Sequence, residues 1–114
     1  DAILGAAALG NIGIQFPNTD PQYKGSSSLK LLELAYAKVK QKGLKVGNID
    51  STLICQEPKL NPFIPEMIQN LAQSLGIQSD QISVKATTHE NIGSLGKGEG
   101  IAAMAVCVLL EALQ

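Results

Sequence analysis

Ile101-Ala102-Ala103-Met104-Ala105-Val106-Cys107-Val108-Leu109-Leu110 is the longest apolar run of the chain, and it admits two readings. Its alanines suit a helix. Its Val-Cys-Val-Leu-Leu half suits a strand buried on both faces, which loses the usual apolar–polar alternation. Periodicity alone does not choose between them. A membrane helix is excluded for this run, which has about half of the ~20 residues a span requires.

Immediately upstream lie Gly93, Gly96, Gly98 and Gly100, preceded by Thr87-Thr88-His89-Glu90. Gln81 to Thr87 is the clearest strand, with Ile82, Val84 and Ala86 alternating with Ser83, Lys85 and Thr87. The helix before it starts near Pro62, where a missing N–H costs nothing. It presents Ile64, Ile68, Leu71 and Leu75 as one buried face and stops at Gly76. Glu57 to Pro62 is a turn with two prolines. It follows a second strand, Asn48 to Gln56, with Ile49, Leu53 and Cys55 on one side and Asp50, Thr52 and Gln56 on the other.

Further out, Ser26 to Ser28 offer N-caps for a helix running to Lys42. Leu31, Ala35 and Val39 form its stripe, with Leu32 and Tyr36 beside them, and Gly43 ends it. Asn11 to Gly25 reads as a long loop rich in turn formers, a length often associated with function. Asp1 to Leu9 reads as a helix stopped by Gly10. Since Asp1-Ala2-Ile3-Leu4 already looks like helix interior, the natural start is expected upstream.

The 114 residues suffice for one domain, 1–114. With 45 % hydrophobic and 17 % charged residues the balance is globular, and with no Trp and few aromatics the core must be aliphatic. A net charge of −1 with scattered lysines lacks the basic footprint of a nucleic-acid binder. Lys38, Lys40, Lys42 and Lys45 cluster near a helix end, where they complement its dipole. Cys55 and Cys107 sit in apolar runs and read as small buried hydrophobes, in keeping with a reducing compartment. No secretory pattern is read in these residues.

Three polar clusters could carry chemistry: Asn11 to Asp20, Gln56 to Asn61, and Thr87 to Glu90 with the glycine stretch to Lys97. In the third, the Thr87 and Thr88 hydroxyls at a strand end suit phosphate oxygens, and Glu90 is a hard ligand suited to Mg²⁺ held between phosphates. Lys97 adds positive charge, and the glycines let backbone approach a ligand. A solvated turn with capping threonines explains the same residues. The glycine stretch matches neither the P-loop nor the Rossmann fingerprint. His89, the only histidine, supports no catalytic triad, and no zinc-type Cys/His spacing occurs. In the second cluster, backbone groups of a stiff turn could read a base edge; from the residues alone, a plain strand-to-helix connection with a good helix start is the favoured reading.

The ordered set is more specific than any member. Asp1-Ala2-Ile3-Leu4-Gly5-Ala6, Asn11-Ile12-Gly13, Phe16-Pro17-Asn18-Thr19-Asp20, Gly47-Asn48-Ile49-Asp50, Pro58-Lys59, Val84-Lys85-Ala86-Thr87-Thr88 and Gly98-Glu99-Gly100-Ile101-Ala102-Ala103 resemble the 2-C-methyl-D-erythritol 2,4-cyclodiphosphate synthases over essentially the whole chain. The resemblance implies an α+β fold. It has a mixed β-sheet with helices on one face, and the sheets pack around the three-fold axis of a homotrimer. Ile101 to Leu110 then becomes a strand.

It also implies the reaction: cyclisation of 4-diphosphocytidyl-2-C-methyl-D-erythritol 2-phosphate to the cyclic diphosphate with release of CMP, in non-mevalonate isoprenoid synthesis. The compartment would be a bacterial cytoplasm or a plastid, and neither membrane nor nucleic acid would be a partner. Thr88 and Glu90 would be catalytic, with Glu90 the ligand of Mg²⁺ (or Mn²⁺). Cys55, Gln56, Glu57, Pro58, Lys59, Leu60 and Asn61 would form the cytosine pocket, and Asn11, Ile12 and Gly13 the ribose site. Phe16, Pro17, Asn18, Thr19 and Asp20 would cover the methylerythritol end. Thr87, His89, Ser94 and Lys97 complete the substrate residues. The site would lie between subunits.

The family's Zn²⁺ ligands, an Asp-x-His and a further His, have no counterpart here, so the domain is expected to be incomplete at its N-terminus. Asn11 stands in place of the usual ribose-site Asp. Lys97 and Met104 stand where some members carry the Arg and Glu of the trimer cavity. Two alternatives stay open beside the enzyme. One is a non-catalytic cytidine-nucleotide-binding or trimerising fragment lacking the zinc site. The other is a small α/β regulatory or structural domain.

Overall fold

The computed structural model describes residues 1–113. Its elements are α1 (Ala2–Ala6), α2 (Ile12–Gln15), α3 (Ser28–Gln41), β1 (Leu44–Ile54), α4 (Ile64–Leu75), β2 (Ile82–Thr87), α5 (Gly93–Gly96) and β3 (Ala102–Glu111). The apolar run 101–110 is therefore a strand. Partner residues decide this: β3 lies antiparallel to β1 along nearly its whole length, so its backbone groups are satisfied between strands.

The sheet is mixed, in the order β2-β1-β3, with β2 parallel to β1 and joined to it through α4. Helices α1, α3 and α4 pack on β3, β1 and β2 respectively. The larger core cluster gathers Ile3, Leu4, Ala35, Tyr36, Val39, Val46 and Leu75, and a second one gathers Ala72, Ile82 and Val84. Ile82, Val84 and Ala86 face the helices and Ser83, Lys85 and Thr87 face away, as their alternation requires. On the face away from the helices, Lys85 pairs with Asp50. There β3 exposes Met104, Val106, Val108 and Leu110.

Several sequence expectations shift at their ends. Strand β1 begins at Leu44, four residues before the expected Asn48, since Leu44 to Val46 already pair with β3, and its register slips between Val46 and Asn48. This bulge puts Val46 and Ile49 on the same core side, so the strand's two halves alternate out of phase. A Cβ on Gly47 would meet the Leu110 side chain and the Val108 carbonyl at 3.2 Å, so the bulge calls for glycine. Helix α1 stops at Ala6 instead of running to Leu9, because Ala8 takes a left-handed φ of 58°. The loop 11–25 contains α2 and a 3₁₀ turn, Pro21–Tyr23. Pro62 sits in a 3₁₀ turn, and Pro65 occupies the first turn of α4. Ser27 is the N-cap residue of α3 but makes no side-chain cap bond.

Candidate functional site

Strands β1 and β2 are parallel neighbours, so both end at the same edge of the sheet. From that edge their following loops diverge, one into α4 and one back toward β3. A crevice at the carboxyl ends of such strands is where ligands bind in open sheets. Cys55, Gln56, Lys59, Leu60 and Asn61 from the first loop and Ala86, Thr87 and Thr88 from the second line a cavity of about 130 Å³ there. The second and third polar clusters, more than twenty residues apart in sequence, thus share one hollow.

Two contacts shape the first loop. The Cys55 N–H extends the ladder by donating to the Thr87 carbonyl at 3.0 Å. The buried Cys55 thiol donates to the Glu57 carbonyl at 3.2 Å, with the Pro58 carbonyl at 3.7 Å. The Glu57–Pro58 peptide is cis.

The turn after β2 is tightly determined. Glu90 and Asn91 take φ of 51° and 64°, a left-handed conformation costing roughly 1–2 kcal/mol per residue for side chains with a Cβ. The Thr88 hydroxyl oxygen accepts from the Glu90 N–H at 3.1 Å, and Ile92 N–H donates to the His89 carbonyl at 2.9 Å. From the far side Gly96 presses on the turn: a Cβ there would stand 2.6 Å from the Asn91 carbonyl carbon. Glu90 itself is exposed, two residues beyond the cavity wall.

Comparison with known proteins places this arrangement. The YgbB family model matches residues 1–110. The chain belongs to the YgbB family. A 2-C-methyl-D-erythritol 2,4-cyclodiphosphate synthase of Geobacter metallireducens is 60 % identical over 111 residues, covering 97 % of this chain and 70 % of that protein. The bifunctional IspDF of Campylobacter jejuni superposes with a TM-score of 0.92 at 43 % identity, over 99 % of this chain and 30 % of that one. The Plasmodium falciparum IspF CDP complex superposes at 0.86 and 33 % identity, over 99 % of this chain and 67 % of that one.

In this YgbB-family chain the first polar cluster stands apart from the cavity, whose wall includes no residue of 11–20. Several of its side chains have local partners. Asn11 caps α2 by accepting from the Ile14 N–H at 2.9 Å. Ile12 lines a different hollow beside α1 and α3. Phe16 is core, edge-on to Tyr23 and under the Lys38 ammonium. Asp20 caps the Pro21 turn, and hydrogen bonds from the Gln22 side chain and backbone hold its carboxyl below the ordinary range. Pro17, Asn18 and Thr19 join these two caps, and Gly13 lies within α2. Glu57, Pro58, His89, Ser94 and Lys97 are exposed around the two loops and do not line the cavity.

Among the described residues no three His, Cys, Asp or Glu side chains converge on a metal position. Those residues alone do not make up a donor set for the Zn²⁺ the family resemblance implies. They fit Mg²⁺, which takes one or two carboxylates and completes its shell with substrate phosphates and water. Glu90, on the turn after β2, is an exposed carboxylate of the kind such a shell uses. Sequence reasoning missed Ala86, which lines the cavity, and Asn91, whose backbone the neighbouring loop contacts.

Proposed function

We propose that this chain cyclises 4-diphosphocytidyl-2-C-methyl-D-erythritol 2-phosphate to 2-C-methyl-D-erythritol 2,4-cyclodiphosphate, releasing CMP. The observation that carries this reading is the shared hollow of the Cys55–Asn61 and Thr87–Thr88 segments, with Glu90 on the adjoining turn. An oxygen of the 2-phosphate attacks the β-phosphorus. A new P–O bond forms there, the bond to the oxygen bridging the two phosphorus atoms breaks, and CMP leaves with the electron pair. No covalent enzyme intermediate is needed, so the protein's work is alignment and charge placement.

Each group has a physical task. The Cys55–Asn61 backbone reads the cytosine edge, and Lys59, which lines the cavity, packs beside the base. The Thr88 oxygen is occupied as an acceptor by the Glu90 N–H, which leaves its own hydrogen to donate to a phosphate oxygen. Thr87 offers a second hydroxyl. A divalent cation, Mg²⁺ or Mn²⁺, held by Glu90 supplies charge neutralisation when bound. Asn11, Ile12 and Gly13 serve the ribose, and Phe16 to Asp20 flank the methylerythritol end of a pocket on a neighbouring subunit.

The working unit is a homotrimer. At about 130 Å³ the hollow is well under the roughly 300–1,000 Å³ of a complete small-molecule site, which favours a second surface completing it. The exposed row Met104, Val106, Val108 and Leu110 is an apolar face suited to burial between copies. The setting is a bacterial cytoplasm or a plastid.

CMP release by the native protein tests the reading. Turnover is expected to require a divalent cation, and Glu90→Ala is expected to lower it by about 10²-fold or more. An unchanged rate in that variant would sink the assignment of Glu90. CMP binding without any turnover by the native protein would favour the non-catalytic alternative.

A further inference from the structure

We propose that Gln56 is a positioning residue, strapping the nucleotide loop to the turn that carries Glu90. The inference rests on the cyclodiphosphate synthase reading above and adds a coupling element to it. Gln56 is the second residue past the end of β1, half-buried in the cavity wall. Its side-chain carbonyl oxygen accepts from the Asn91 backbone N–H at 3.4 Å. This is a side-chain bond from the first loop onto the backbone of the Glu90 turn, and it bridges two segments 35 residues apart.

Its position gives it leverage. The turn is held left-handed at both Glu90 and Asn91, and a conformation of that kind persists only where its surroundings over-determine it. The Thr88 hydroxyl fixes the Glu90 N–H from within the turn. Gly96 bears on the Asn91 backbone from the α5 side. Gln56 supplies the opposing contact from the nucleotide side, on an N–H whose partner lies outside the turn. When a base settles against the Cys55–Asn61 backbone, a shift of that loop is transmitted through the Gln56 side chain to the peptide next to Glu90. The 3.4 Å separation is long for an N–H···O bond, which leaves room for it to shorten when a ligand closes the site. A displacement on the order of 1 Å at a reacting centre can cost 10²-fold in rate, so a single strap of this kind has a measurable consequence.

Hydrogen exchange at the Asn91 amide, with turnover as a second readout, tests this on the native protein. Gln56→Met removes the acceptor at nearly constant length, and Gln56→Glu keeps it. Saturating CMP is expected to slow Asn91 exchange by about tenfold or more in the unaltered protein and in Gln56→Glu, and to leave it unchanged in Gln56→Met. The Met variant is expected to lose roughly tenfold or more in kcat, with most of it recovered in Gln56→Glu. Gln56→Ala serves the same comparison if the Met side chain disturbs folding. CMP-induced slowing at Asn91 that survives in Gln56→Met would overturn the inference, and so would a Gln56→Glu variant as impaired as the Met one. Neither result touches the parent reading, which stands or falls with Glu90→Ala and with turnover itself.

Discussion

Gly96 has no room for a side chain. A Cβ would lie 2.6, 3.0 and 3.1 Å from the carbonyl carbon, Cα and nitrogen of Asn91, and backbone atoms cannot rotate out of the way. Gly96→Ala is therefore expected to move the Glu90 turn as a unit. The expected outcome is a loss of about 1–3 kcal/mol, read as a drop in Tm on the order of 5 °C or more, together with at least a tenfold fall in CMP release. Wild-type kinetics in that variant would mean the turn can relax without moving Glu90. The sequence marked Gly96 only as part of a glycine stretch matching neither common nucleotide fingerprint. Its purpose is a close backbone approach between residues five apart, which only the folded turn reveals. Asn11 and Asp20 also do local work that the sequence leaves unannounced: their side-chain oxygens are engaged by the Ile14 and Gln22 amides. Phe16, grouped with them by motif, lies in the core.

At the scale of elements, legibility followed periodicity. Helix α4 was readable because its apolar residues recur at helical spacing and Gly76 takes the left-handed C-cap at φ 64°. β2 was readable because it alternates without interruption. β1 was only half readable, since the bulge reverses the phase of alternation and hides the Leu44–Val46 half. β3 was ambiguous because its identity depends on a partner strand. The convergence of the second and third clusters was equally hidden: nothing local says that β1 and β2 are parallel neighbours ending at one edge. Helix α1 shows how a short element can still matter. It has five residues, yet Leu4 is 1 % exposed and packs in the main core cluster between α3 and β3. Leu4→Ala leaves a cavity under the sheet, and about 2–5 kcal/mol of stability is expected to go with it. Urea unfolding checks this: the midpoint should fall while the m-value holds, and an unchanged midpoint would mean α1 is not an integral part of the core.

At the largest scale, the decisive feature is that, among the described residues, one face of the sheet carries helices and the other carries none. On the bare face β3 presents Met104, Val106, Val108 and Leu110, between 48 % and 65 % exposed, opposite the polar Asn48, Asp50 and Thr52 of β1. A row of large aliphatic side chains left in water forfeits roughly 25 cal/mol for each Å² that burial would remove, and assembly recovers it. The proposed three-fold association buries this row and also supplies the surface that completes the shallow hollow at the end of β1 and β2. Assembly and activity are then linked. Val106→Asp puts a carboxylate in the row directly across from Asp50, where a like charge and a desolvated anion both oppose association. The Val106 side chain faces away from the core, so the subunit fold is expected to survive with its circular dichroism intact. Sedimentation is expected to shift from trimer to monomer, and CMP release is expected to fall in proportion to the trimer lost. A monomeric Val106→Asp protein with full turnover would separate the two and place the entire site within one chain.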